Sequence, residues 1–206
     1  MHGFALNDIF KIGIGPSSSH TMGPMHAAQH FMSNLEPTLG NGSLKVSVTL
    51  HGSLAATGDG HGTPGAVTAG LVGHHYETVT LPDIESVWNT AVATGVMRSL
   101  SGHDIHFNPS HDLLRDMEPL ASHPNGMTFR AWVGDALIDE KQYFSVGGGM
   151  VEDQMGHTLA TSPLPVGDAP FPYKSMQELV KWCDREKLSI AQLQAQRVFL
   201  FKARRT

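Results

Sequence analysis

One cysteine, Cys183, stands in the whole 206-residue sequence. A lone thiol cannot form an internal disulfide, and it cannot supply a cluster or zinc site that needs several thiolates from one chain. Positive charge is scarce as well. The formal net charge is -5 at pH 7, whereas nucleic-acid binders need a Lys/Arg surplus to replace phosphate counterions. The basic end, Lys202-Ala203-Arg204-Arg205, is too short to alter that balance. No apolar run approaches the roughly 18 residues of a membrane span. Met1-His2-Gly3-Phe4 lacks the positive-then-apolar order of a secretion signal. These absences predict a cytoplasmic protein with neither a nucleic-acid nor a membrane partner. Internal repeats and low-complexity tracts are missing too.

An apolar fraction of 40% and a charged fraction of 16% describe an ordinary globular chain. The length suits one domain with an appendage. Glycine (22) and histidine (13) are the unusual components, and they gather around loops, where chemistry is best sought.

Periodicity supplies the elements. Phe4 to Ile12 reads as a short helix halted by Gly13 and Gly15-Pro16, and Ser17 to Thr21 as a polar loop. Met25, Ala28, Met32 and Leu35 recur at helical spacing, so a helix is predicted over Met25–Glu36 with Pro24 at its first position. Leu44, Val46, Val48 and Leu50 alternate with polar residues, the mark of a half-buried strand. Gly58 to Gly65 is too glycine-rich for regular structure and leads into a short helix over Ala66–Val72. Ile84 to Leu100 reads as a helix, and His103–Phe107, Met127–Val133 and Ala136–Val146 as strands. After Val151 a proline-containing stretch suggests a linker. Ser175 and Ser189 then begin two helices with capping-box patterns, the first carrying an apolar stripe of Met176, Leu179, Val180 and Cys183. The order implies an α/β (α+β) domain over residues 4–151, a linker over 152–174 and a helical extension over 175–206.

The most informative segment is Gly13 to Ala28, GIGPSSSHTMGPMHAA. Free amides before a helix favour an anion such as a carboxylate; a capping loop without a ligand is the plain alternative. It is not a P-loop, since no lysine follows a glycine at the required place, and G-x-S-x-G is absent. His26 and His30, four apart on one helix, have zinc-binding spacing, but no Cys or Glu partner stands at a recognised distance. They read as surface histidines, and no metal ligand is assigned.

GPSSSHT followed by Gly23-Pro24-Met25 resembles the opening of bacterial iron–sulfur L-serine dehydratases. The similarity continues through Gly52-Ser53-Leu54, Thr57-Gly58, Gly60-His61, His123-Pro124-Asn125-Gly126-Met127, Ser145 to Gly149 and Pro172-Tyr173-Lys174-Ser175, in the family's order. The resemblance implies the N-terminal β domain of such an enzyme: a mixed sheet with flanking helices, also similar to the allosteric substrate-binding domain of some phosphoglycerate dehydrogenases. It implies L-serine as substrate, deaminated to pyruvate and ammonia at a [4Fe–4S] cluster, with a homo-oligomeric full enzyme. The family's cluster cysteines lie in an α part, so this chain is expected to be inactive alone and to need an α domain or subunit.

Removing a weakly acidic Cα proton calls for a base of near-neutral pKa, usually histidine. His20 and His61, each in a glycine-bounded loop within a resembling motif, are the catalytic candidates. Ser17, Ser18, Ser19 and Thr21 are candidates for binding substrate carboxylate or ammonium, although one or two of them could simply cap the helix. Asn125 is a further substrate-binding candidate, with an ordinary Asn-Gly turn as its alternative; Gly147, Gly148 and Gly149 are expected to serve a turn.

Asp59 stands where the family commonly has Lys, and Pro64 where it has Asp, which alters charge beside His61. Gln196 to Thr206 does not resemble the family's continuation, as a truncated frame or an expressed fragment would explain, and Val198 to Phe201 would be a sticky surface if exposed. Two rival readings remain at this point. One is a regulatory amino-acid-binding module; the other is the β subunit of a two-chain dehydratase.

Overall fold

The computed structural model describes residues 11–35, 44–159, 171–173 and 175–203, with backbone alone for 197–203. The expected helix over Phe4–Ile12 falls almost wholly outside these residues, as do the side chains of Val198 to Phe201. Two compact units are present, one spanning Ile12–Leu159 and one containing the C-terminal helices.

The larger unit is built on strand β1 (Leu44–His51). On one side β1 pairs antiparallel with β5 (Gly126–Val133), from Leu44↔Val133 to Leu50↔Met127. On the other it pairs parallel with two strands in succession. β3 (Asp104–His106) meets its first residues and β4 (Leu113–Asp116) its last. β2 (Val96–Arg98) extends the sheet beyond β3, and β6 (Ala136–Gly147) and β7 (Met150–Asp153) extend it beyond β5. This mixed sheet with flanking helices is the fold class read from the sequence. The half-buried strand is corrected, however: Ser47, Thr49 and His51 are buried along with the apolar residues between them. The polar face of β1 is thus covered, and His51 Nε2 finds the Thr128 hydroxyl at 2.9 Å there.

Helix α1 (Gly23–Leu35) lies on β5, β6 and β7, sending Phe31, Met32 and Leu35 into the core. Short helix α2 (Gly52–Thr57) follows β1 directly, and a 3-10 turn (Asp59–His61) leads into α3 (Thr63–Leu71), which packs against α1. Glycine content does not keep Asp59 to Gly65 irregular, because Pro64 sits in the first turn of α3 where no N–H is needed. Helix α4 (Leu81–Thr94) is closed by a Thr80–Asp83 capping box and ends at Gly95, which adopts a left-handed φ of 69°. The helix expected to reach Leu100 therefore stops early, and Val96–Arg98 becomes a strand. A one-turn helix, α5 (Pro109–Asp112), and β4 were not anticipated. The unit also passes the Val151 boundary: β7 runs to Asp153, and Leu159 is buried in the core.

The second unit holds α6 (Met176–Glu186) and α7 (Ile190–Ala203). Ser175 caps α6 through the Glu178 amide, and Ser189 and Gln192 form a reciprocal cap at the start of α7. Only part of the expected stripe is inside: Leu179 and Cys183 pack with Leu193, while Met176 and Val180 are exposed.

Phe129 sits in the core with its ring 5.3 Å from Phe31 and 5.6 Å from Tyr143. Phe129→Ala is expected to cost about 3–5 kcal/mol. In urea unfolding this appears as a lower midpoint at unchanged slope; a shift below ~1 kcal/mol would show that the site collapses without penalty.

Candidate active site

Ser17 to Thr21 is not a loop. Ser17 is the N-cap of a π-helical turn (Ser18–Met22) that runs straight into α1. The Ser17 hydroxyl accepts from the His20 amide at 3.1 Å, and the Ser17 carbonyl accepts from Thr21 and Met22 at 2.9 and 3.3 Å. Pro24 accounts for the widening. It has no N–H for the carbonyl four residues back, which is that of His20, and its ring crowds that carbonyl. The ladder opens by one residue, with Gly23 N–H reaching back to the Ser18 carbonyl.

The His20 carbonyl left over is taken by the Thr63 hydroxyl. Thr21 returns the exchange, donating to the His61 carbonyl at 2.7 Å. Both threonines are buried, so two segments some 40 residues apart are stitched together by partly buried bonds.

These bonds set the His20 and His61 rings 4.8 Å apart, tilted at 43°. His61 Nδ1 lies 2.9 Å from the Thr57 carbonyl, to which it donates. His20 Nδ1 is 2.9 Å from Ser19 Oγ, and its Nε2 is 3.1 Å from Ser53 Oγ. A hydroxyl can give or take a proton, so the pair accommodates His20 in either tautomer or as the cation. Burial first, and then the charge of nearby His61, hold His20 below the ordinary histidine value, with a hydrogen bond to Ser53 opposing them. It is therefore mainly neutral at pH 7 and able to accept a proton.

The expected site residues divide by role. His20, His61, Ser17 and Ser19 come together as described, and Ser17 Oγ lies 3.4 Å from Ser19 Oγ. Ser18 is half-buried in the first helical turn. Thr21 holds the two segments together. Asn125 donates from Nδ2 to the Ser145 carbonyl at 3.1 Å, and Ser145 N–H donates to the Asn125 carbonyl at 3.0 Å. The adjacent Pro124 carbonyl receives the Ser53 amide at 3.0 Å, which ties the Asn125 segment to the site. Gly147, Gly148 and Gly149 all have positive φ, as a turn requires.

Ser53 and Thr63 were not among the residues singled out. Ser53 follows the end of β1 in a resembling motif, and that position was its only signal. Gly52 makes room for it: at φ 53°, a Cβ there would stand 2.6 Å from the Pro124 carbonyl. His26 is corrected, being buried with its ring 6.3 Å from His75 and 6.0 Å from Tyr76. His30 is half-buried and meets the Tyr143 hydroxyl at 3.2 Å. Among the described residues no group of three or more His, Cys, Asp or Glu could hold a metal ion, and no helix is long and apolar enough to cross a membrane. Asp59 pairs with Arg115 at 2.5 Å.

A family model for the serine dehydratase beta chain matches residues 5–156. The chain belongs to that family. L-serine dehydratase TdcG of Escherichia coli (strain K12) is 38% identical over 192 residues, covering 90% of this chain and 41% of that protein. An L-serine dehydratase of Mycobacterium tuberculosis is 42% identical over 195 residues, covering 90% and 40%. One of Streptomyces coelicolor is 39% identical over 191 residues, covering 90% and 42%. The chain thus spans about 40% of the length of those relatives.

His61→Gln removes the neighbouring charge that depresses His20. Followed by NMR through its ring protons, the His20 titration is expected to move up toward the ordinary value of about 6.5. An unmoved midpoint would mean the two rings are electrostatically independent.

Proposed function

We propose that this chain is the β portion of an L-serine dehydratase, taking part in the β-elimination of L-serine to pyruvate and ammonia. The observation that carries this is the neutral, serine-flanked His20 held against His61, in a chain of the serine dehydratase beta family.

The family resemblance brings in a [4Fe–4S] cluster, which would supply Lewis acidity toward the β-hydroxyl. This chain's residues do not fit it. A cluster needs several thiolates, and the sequence has only Cys183, buried between the C-terminal helices. The cluster ligands belong to an α portion outside these 206 residues.

What this chain supplies is binding and proton transfer. The first amides of the helix that starts at Ser18 have no intrahelical acceptor and sit at its positive end, suited to the substrate carboxylate. In this reading the Ser18 hydroxyl assists. His20 takes the Cα proton, and Ser19 and Ser53 adjust their hydroxyl protons to hold the resulting imidazolium. His61 raises the cost of that cation, which keeps the ring neutral between turnovers. Loss of the Cα proton and the β-hydroxyl gives an aminoacrylate, which tautomerises and hydrolyses in water to pyruvate and ammonia. The reading sets this chemistry in the cytoplasm, where a free thiol such as Cys183 stays reduced.

The test is co-expression with the α portion of an L-serine dehydratase, under anaerobic conditions, assaying pyruvate from L-serine. Turnover is expected from the pair and from neither part alone, and His20→Ala should lower kcat/KM by about 10²–10⁴. Tight L-serine binding by the chain with no pyruvate from the pair would favour a regulatory amino-acid-binding module instead.

A further inference from the structure

Ser145 is fully buried in β6, and its hydroxyl has no hydrogen-bond partner. An orphaned hydroxyl in a core is costly, and alanine would pack there without that cost. Its neighbour explains its position. A Cβ built on Gly23 would fall 2.1 Å from Ser145 Oγ and 2.9 Å from Ser145 Cβ, so the serine occupies the space a side chain at residue 23 would need. Gly23 is the residue whose N–H closes the π turn on the Ser18 carbonyl. The helix therefore rests directly on β6 at the point where it changes from π to α register.

Ser145 is itself held firmly. Asn125 grips its backbone from both sides, through Nδ2 to the carbonyl and through the carbonyl to the amide. One residue earlier, the Pro124 carbonyl anchors the Ser53 amide. The segment Pro124-Asn125 thus controls both supports of the His20 ring: Ser53 on one side, and on the other the turn that carries His20.

We propose that Ser145 and Gly23 form a size-matched contact that seats the Pro24-widened π turn on β6, making Ser145 and Asn125 positioning residues for His20. The inference rests on the dehydratase reading for what the placed ring does, but its geometry can be tested without turnover.

The experiment uses the full chain and follows the His20 ring by NMR, with His20→Gln to assign its signals. Gly23→Ala adds a methyl that pushes the turn off β6, so the His20 midpoint is expected to rise toward the ordinary value as the ring loses the burial and the nearness to His61 that depress it, which outweigh the lost Ser53 hydrogen bond. The exchange Gly23→Ala with Ser145→Gly makes room for that methyl and should bring the midpoint back to that of the parent chain. Ser145→Ala, which adds no atom, should alter the His20 ring shifts without lowering the melting temperature. It serves if Gly23→Ala does not fold. Ile105→Val, in the same core but away from the turn, should leave His20 unmoved, separating positioning from general loss of stability. Unchanged His20 signals in Gly23→Ala or in Ser145→Ala, or no recovery in the exchange, would overturn the proposal. If the exchange restores His20 while the pair with the α portion yields no pyruvate, the contact is supported and the dehydratase reading is what fails.

Discussion

The site depends on an exchange of two hydrogen bonds. Thr63 donates to the carbonyl of His20, and Thr21 to the carbonyl of His61. Each threonine lies within two residues of the histidine whose carbonyl it does not take, so both segments are placed together or not at all. The exchange exists because Pro24 leaves the His20 carbonyl without its helical donor. A buried carbonyl must find another partner, and the only geometry that supplies Thr63 brings the second histidine with it.

Much of this was legible in the sequence in outline. The strands at 44–51, 126–133 and 136–147 follow plain alternation, and the polar segment before Pro24 marked itself by its density of hydroxyls. What the pattern hid was the effect of a proline inside a helix. Pro24 looks like a helix start because that is its commonest helical position. Here Ser17 caps the helix earlier, and the proline produces a wider turn instead of a beginning. β2 and β4 were missed for a different reason. Three or four residues carry too little periodicity, and both strands owe their conformation to partners distant in sequence.

The roles of individual polar residues were less legible than their neighbourhood. Thr21 and Asn125 stand in segments that adjoin the two rings, but their side chains are spent on the carbonyls of His61 and Ser145. Ser53 touches the His20 ring and was noticed only as part of a motif. A linear pattern shows which segments carry function; which hydroxyl faces the ring depends on how those segments cross. The departure at Asp59 illustrates the same limit. In sequence it sets a negative charge beside His61, whereas in the fold its carboxylate turns to Arg115 on β4.

The pairing of β1 with β5 has a consequence for how the protein acquires its site. Ser53 is anchored by Pro124, and the two meet only once β1 and β5 are in register, Leu50 opposite Met127. Closing so long a loop is entropically slow, and little local structure offsets it beforehand. The helix bearing His20 can form early, but its ring has no Ser53 to bond until that closure. The histidine pocket is thus tied to the slowest kind of contact a chain makes, one between segments distant in sequence.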